Sequence, residues 1–176
     1  MKRILIAACA AVVCAAVLLG IAGCGGSAPS TGATDPQGAV KSFLDAVASK
    51  NWNNYQGSIL PENIKALPDD QLAQLKGQLE STADAPKFTG LTMSTEFDPK
   101  DKTTARVTMT GGTVTLAASG STPAQSQKVA DMPQADRVIY VKEYKGHWYI
   151  DMAAMSALQQ ETQPSSTTPA PPSTTP

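Results

Sequence analysis

The sequence has few of the residues that build metal sites and thiol chemistry. It contains one histidine, His147, and three cysteines, none of them beyond Cys24. No disulfide scaffold and no thiolate metal site can therefore form in the remainder of the chain. A single histidine does not make a metal-binding cluster either. We expect no metal and no cofactor.

Positive charge is also scarce. The 176 residues include 14 Lys and Arg against 15 Asp and Glu, and no stretch forms a basic stripe. No glycine-rich loop has the spacing that cradles phosphates. Nucleic acid is therefore not expected as a partner.

The first residues have the order of a secretory signal peptide. Lys2 and Arg3 are followed by an uncharged apolar run over residues 4–19, and then by small residues. That order of charge, apolar stretch and small residues is typical of a signal peptide. The run is long enough that an uncleaved membrane anchor is an alternative, and an ordinary secreted protein is another.

The residues Ile21-Ala22-Gly23-Cys24 resemble the bacterial lipobox. The resemblance implies that the Cys24 thiol takes a diacylglycerol and that signal peptidase II cleaves after Gly23. Two acyl chains hold a protein stably on a membrane, whereas one does so marginally. The mature chain would keep 12 basic against 15 acidic residues, a net charge of −3. The expected location is extracytoplasmic, with the membrane as partner through the lipidated cysteine.

Composition divides the chain into four parts. Residues 1–23 are the predicted signal peptide, and residues 24–34 a flexible tether of small and polar residues. Residues 35–160 suit one domain of ordinary size. Residues 161–176 are rich in Ser, Thr and Pro, which predicts a disordered tail with polyproline character. An O-glycosylated stalk is the alternative for this tail.

The first half of the domain is predicted to be helical. Asp35-Pro36 predicts a helix start, and apolar residues at helical spacing follow. Asn51 is predicted to cap a second helix, which Pro61 would interrupt. A third helix is predicted over roughly Pro68 to Leu79.

The second half of the domain is predicted to form strands. Residues 87–97 alternate apolar and polar, as a half-buried strand does. Gly111-Gly112 predicts a two-residue hairpin turn, with a long loop over 120–135 and a last hairpin around Lys145-Gly146. A short helix is expected over 152–160. The fold class is α+β, with N-terminal helices on a curved antiparallel sheet.

Two stretches resemble nuclear-transport-factor-2-like (cystatin-like) domains. They are "AVKSFLDAVASKNWNNYQGSIL" near the start and "VKEYKGHWYIDM" near the end, where Gly146, Trp148 and Ile150 form a Gly-x-Trp-x-Ile pattern. The resemblance implies a cone of helices wrapped by a bent sheet, often with an internal pocket. The family includes isomerases, dehydratases and non-enzymatic binding modules, so the fold leaves the activity open.

The inward-facing side chains of the predicted sheet are apolar. They form either a filled core or the lining of a pocket for a small apolar ligand or lipid. These residues are Leu91, Met93, Phe97, Val107, Met109, Trp148 and Ile150. Acid–base catalysis needs an ionisable group on this face. His147 alternates with Trp148 and Ile150, so we expect it to be exposed. The sheet carboxylates, Glu143 among them, are expected at outward positions or turns. No catalytic residue is assigned.

The sequence therefore predicts a tethered, non-catalytic binding or interaction module of the cell envelope, with a protein partner. The alternative is a carrier or sensor of a small apolar ligand or lipid in the cone pocket. An isomerase- or dehydratase-like enzyme is the third class. A filled core with an apolar surface patch favours the interaction module, and a deep dry pocket favours the carrier. A deep pocket with a single buried ionisable residue favours the enzyme.

Overall fold

The computed structural model describes residues 32–81, 85–117 and 123–162. The predicted signal peptide, Cys24 and most of the Ser/Thr/Pro-rich tail lie outside these residues. Helices come first: α1 (Pro36–Ala48), α2 (Trp52–Ser58), α3 (Pro61–Ala66) and α4 (Asp69–Ser81). The strands are β1 (Lys87–Phe97), β2 (Thr104–Leu116), β3 (Gln125–Lys128), β4 (Val138–Tyr144) and β5 (His147–Ile150). A short α5 (Gln134–Arg137) precedes β4, and α6 (Met152–Thr162) follows β5. The α+β prediction is confirmed.

Side-chain caps begin the first two helices where the sequence predicts them. Asp35 Oδ1 accepts a hydrogen bond from Gly38 N at 2.8 Å, and Asn51 Oδ1 accepts one from Asn54 N at 3.0 Å. Each satisfies a backbone donor that has no partner within its helix. The predicted interruption near Pro61 is confirmed, because α2 ends at Ser58 and this proline opens a separate helix, α3. Proline is well suited to a first helical turn, where its missing N–H is not needed.

The antiparallel sheet curls until its two outer strands approach each other. The strand order is β1-β2-β4-β5, and β3 pairs with the far end of β2. Phe97 of β1 and Trp148 of β5 nevertheless have ring centroids only 5.7 Å apart. Helix α1 lies in the resulting concavity and contacts β1, β2, β4 and β5. The sheet is therefore a half-barrel closed around one helix.

The hairpin predicted at Gly111-Gly112 is wrong, because β2 runs through both glycines without turning. Gly112 has φ of +110°, and Gly90 opposite it on β1 has φ of +62°. An ideal Cβ on Gly112 would lie 2.9 Å from both Gly90 O and Leu91 Cα. The pair register shifts at this point, as it does at a β-bulge. The two glycines thus allow a kink and a close approach of two strands.

The loop predicted over residues 120–135 contains structure. Strand β3 pairs with β2, and the register runs from Thr113 opposite Lys128 to Leu116 opposite Gln125. A 3-10 turn follows over Val129–Asp131, and the Val129 side chain is fully buried. The β4–β5 hairpin at Lys145-Gly146 is confirmed, with both residues at positive φ, and the predicted last helix is α6.

The outer edge of β5 is covered by two segments from the N-terminal half. Ala33 N donates to Trp148 O at 3.0 Å, and Trp148 N donates to Ala33 O at 2.8 Å. Further along the strand, Leu60 N donates to Ile150 O at 2.9 Å. Covering an edge in this way removes a site of unwanted strand pairing. The packed part of the chain therefore begins before Asp35, within the predicted tether.

Candidate functional site: the core face of the sheet and its rim

The structure places six of the seven predicted pocket residues in or against the hydrophobic core. Val107, Met109, Trp148 and Ile150 are buried, and Val107 and Ile150 have no exposed surface. Leu91 and Met93 are half-buried and pack against this core. Phe97 is separate, because its side chain is 44% exposed at the end of β1.

Helix α1 fills the hollow side of the sheet opposite these residues. Val40 is fully buried and Phe43 nearly so. The Phe43 ring lies 5.3 Å from that of Tyr55, which stacks at 5.6 Å on Trp52. This row of aromatic rings joins α1 to α2. The side chains expected to line a pocket therefore face a helix packed into the concavity.

The Phe97–Trp148 contact forms the rim of the half-barrel at one end. Phe97 pairs across the sheet with Ala105 of β2, and Ala105 pairs with Val141 of β4. The small side chain of Ala105 leaves room for two large rings above it. The rings meet edge to face, at an interplanar angle of 70°, an arrangement that aromatic pairs prefer.

Strand β1 pairs with the rest of the sheet on one side only. Asp98 N donates to Thr104 O at 3.0 Å, so by alternation Met93, Thr95 and Phe97 direct their backbone groups to the open side. Gln37 of α1 covers part of this edge. Its Nε2 donates to Met93 O at 3.4 Å and to Thr95 Oγ1 at 3.3 Å. The part of the edge before Met93 has no such cover among the described hydrogen bonds.

On strands β1 and β2, the convex face of the sheet is polar. Arg106 forms an ion pair with Glu96 on the neighbouring strand. The hydrogen bond and the charge of Glu96 raise the pKa of Arg106, and Tyr140 adds to the effect. Hydroxyl pairs also cross the strands, with Thr92 Oγ1 3.0 Å from Thr110 Oγ1. This face is therefore solvated and held by cross-strand polar pairs.

Two sequence predictions for polar side chains on the last hairpin are wrong. His147 does lie on the face opposite Trp148, but it is half-buried instead of exposed. Its Nδ1 is buried and has no hydrogen-bond partner among the described residues. Glu143 pairs with Trp148 in the register and so lies on the core side at the end of β4, half-buried.

The β1–β2 turn is held by its own carboxylates. Asp98 Oδ1 accepts from Lys100 N at 2.7 Å and from Asp101 N at 3.2 Å. Asp101 Oδ1 accepts from Thr103 Oγ1 at 2.6 Å and Thr103 N at 3.0 Å. These bonds to the ionised form lower the pKa of Asp101. The turn is consequently held by four hydrogen bonds to two carboxylates, and the Asp101 carboxyl stays charged at neutral pH.

The resolved pKa shifts do not produce a group suited to proton transfer. The Asp101 carboxyl and the Arg106 guanidinium are both shifted further into their charged forms. A general acid or base instead needs a pKa moved toward the working pH. Within the described residues, no group of three or more His, Cys, Asp and Glu side chains is placed to hold a metal ion.

Two residues shape the site without any local signal in the sequence: Ala33, which covers β5, and Gln37, which covers β1. Their partners Trp148 and Met93 lie far along the chain. No local spacing signals such contacts, because they arise only when distant elements meet.

No known family model matches the chain, and neither does any curated protein. Among the described helices, none has the length and apolar character needed to cross a bilayer. The predicted cleavage after Gly23 and the predicted lipid site at Cys24 lie outside the described residues.

Proposed function

We propose that this protein is an extracytoplasmic lipoprotein whose single α+β domain is a non-catalytic binding module of the cell envelope. The observation that carries the proposal is the filled hollow of the sheet: α1 packs against the face that includes Val107 and Ile150. The lipobox-like Ile21 to Cys24 supports the lipid anchor. The resemblance to nuclear-transport-factor-2-like domains supports a binding role among several.

We expect no catalysis at the core face of the sheet. The buried cluster there is apolar. Glu143 reaches that face only at its rim, half-buried beside Trp148. His147 lies on the opposite face of the same strand. General acid–base catalysis would also need an oxyanion donor and a substrate cavity next to such a group.

The contact surface that we propose for an envelope protein is the open edge of β1 between Lys87 and Thr92. Backbone N–H and C=O groups on such an edge can pair with an added strand. Thr89 on this segment is exposed. The nearby Gly90, at positive φ, and the kink opposite Gly112 interrupt a long flat edge, which limits nonspecific pairing.

This contact can be tested by photo-crosslinking in intact cells. A photoreactive residue replaces Thr89 in one variant and Lys76, on the exposed side of α4, in a control. We expect a discrete protein adduct from position 89 and none of the same size from position 76. Adducts of equal pattern at both positions would contradict a specific contact on β1.

The lipid anchor is tested separately by Cys24→Ala. We expect the variant to appear in the medium or to remain as the uncut precursor. Cell fractionation and the mass of the protein measure both results. A Cys24→Ala protein that matures and stays in the membrane fraction like wild type would refute lipidation at this cysteine.

A second candidate function, carriage of a small apolar ligand, is favoured by one observation. Phe88, Leu91, Met93, Val114 and Met132 pack against the core yet keep part of their surface exposed. A ligand could bind along these side chains. Native mass spectrometry of the mature chain, made without lipid by Cys24→Ser, would show a stoichiometric added mass for a carrier. An unmodified mass, with nothing in a solvent extract, would reject this candidate.

A further inference from the structure

We propose that one end of the half-barrel rests on the bilayer, with Phe97 directed into the lipid headgroup region. This end, called the turn end below, consists of the β1–β2 turn (residues 98–103), the β4–β5 turn (residues 145–146) and Phe97. The inference rests on the proposed lipid anchor at Cys24. Its partner is the membrane surface.

The first argument is the point where the chain enters the fold. Ala33 is fixed by two hydrogen bonds to Trp148, and the Trp148 ring touches that of Phe97. Gly32, just before Ala33, lies against the Tyr149 ring, so the described chain enters the fold along the edge of β5, one residue from the Trp148 that contacts Phe97. In the same region, Glu143 N donates to Thr103 O at 2.7 Å, which joins the β1–β2 turn to the end of the β4–β5 hairpin.

The second argument is the length of the tether. Ala33 follows Cys24 by nine residues, a chain that spans at most about 32 Å when fully extended and about 15–18 Å as a flexible coil. A domain of this size is about 35 Å across. If the domain were inverted so that Ala33 faced away from the membrane, the tether would have to be fully extended or longer than it is to reach the bilayer. The tether thus holds the side that bears Ala33 toward the membrane.

The third argument is the exposed apolar side chain itself. Phe97 is the large hydrophobic residue with the greatest exposure among those described, at 44%. Lys100 and Lys102 are exposed in the β1–β2 turn, and Lys145 is exposed in the other turn, where its Nζ lies 5.1 Å from the centroid of the Tyr144 ring. Aromatic rings with long basic side chains around them suit a membrane interface, because the rings enter the headgroup region while the ammonium groups stay in water.

The fourth argument is the distribution of charge. Within the turn end and the residues that flank it, Lys100, Lys102, Lys142 and Lys145 balance four acids: Asp35, Asp98, Asp101 and Glu143. The net charge of −3 expected for the mature chain therefore lies on the rest of the molecule. An anionic membrane repels that remainder and does not repel the turn end. Electrostatics and the tether favour the same orientation.

The test uses the full mature chain, residues 24–176, which has Cys24 as its only thiol. A maleimide phospholipid is attached to Cys24, and the protein is placed in nanodiscs of phosphatidylcholine and phosphatidylglycerol containing a gadolinium-chelating lipid. Amide relaxation is then measured by NMR. Chemical attachment makes the result independent of lipidation in cells, which the Cys24→Ala fractionation tests separately.

We expect amides of residues 100–103 and 145–146 to relax several-fold faster than those of β3, Gln125–Lys128. Strand β3 pairs with the opposite end of β2, about 30 Å away along the strand. Equal relaxation at both ends, or faster relaxation in β3, would overturn the proposal.

Two variants show which side chains hold the orientation. Phe97→Ser should reduce the contrast between the two ends while the rest of the amide spectrum is retained. Lys100→Gln with Lys102→Gln should also reduce it, whereas Lys65→Gln with Lys76→Gln, which removes the same charge from α3 and α4, should not. A contrast unchanged by Phe97→Ser, or lowered equally by both lysine pairs, would refute the role given to the turn end.

Discussion

Three glycines offer a test of the kink that curves the sheet, because each would meet an added methyl group differently. Gly77 lies in α4 with no atom within 4 Å of an ideal Cβ. Gly146 also has open space, but its φ is +80°. Gly112 combines φ of +110° with three backbone atoms of β1 at 2.9 Å. Alanine substitutions at the three positions therefore measure different effects. Gly77→Ala reports helix propensity, Gly146→Ala reports backbone strain, and Gly112→Ala reports strain together with a steric clash.

The expected changes in the free energy of unfolding differ in sign and size. Gly77→Ala should stabilise the protein by about 0.8–1 kcal/mol, the propensity difference in an exposed helix. Gly146→Ala should cost about 1–2 kcal/mol, since an L-residue is strained at positive φ. Gly112→Ala adds a clash with backbone atoms that cannot rotate away, so we expect a loss of about 3 kcal/mol or more.

Urea unfolding of the mature chain measures these differences, followed by circular dichroism and tryptophan fluorescence. Coincident transitions by the two probes establish two-state behaviour, and an unchanged dependence on urea concentration shows that the unfolded reference is the same. If Gly112→Ala costs no more than Gly146→Ala, the close approach of β1 and β2 at the kink is wrong.

Gly111→Asn distinguishes the kinked strand from the hairpin that the sequence predicts. Asn-Gly is a preferred pair for a two-residue hairpin turn, so a hairpin would be unaffected or stabilised. In the continuous strand, an ideal Cβ at Gly111 lies 2.7 Å from Thr92 Oγ1, and that hydroxyl already pairs with Thr110. We expect a loss of about 1 kcal/mol, and a gain in stability would refute the continuous β2.

Two further predictions concern carboxylates. Asp35→Ala removes the bond to Gly38 N at 2.8 Å and should lower the free energy of unfolding by about 1 kcal/mol; an unchanged urea midpoint would contradict this cap. The pKa of Asp101 in the folded protein is lower than its ordinary value of 3.8, so its stabilising effect is present above that pH and is lost as the pH falls below it. Asp101→Asn should therefore be less stable than wild type at neutral pH, with the difference shrinking below pH 3.8 in an acid titration of the urea midpoint; a difference that stays constant with pH would refute the assignment.

The sequence by itself determined the elements whose signals lie within a few neighbouring residues. Asp35-Pro36 and Asn51 begin helices because a cap depends on donors two or three positions away. Lys145-Gly146 forms the last turn because a tight hairpin needs positive φ there. The alternation over residues 87–97 predicted β1, and the order of helices before strands predicted the fold class.

The tertiary structure alone decided how these elements meet. Two adjacent glycines such as Gly111-Gly112 suit both a hairpin turn and a β-bulge, because both can require positive φ. The pairing of β2 with β1 and β3 continues through these residues, which shows that they form the bulge. The segment at Ala33 covers the edge of β5 at Trp148, although no local pattern connects the two. Phe97 lies on the same face of β1 as Met93, but its side chain is exposed at the rim because the curled sheet ends beside it. Residue spacing sets which face a side chain takes, whereas the packing of distant segments sets what covers that face.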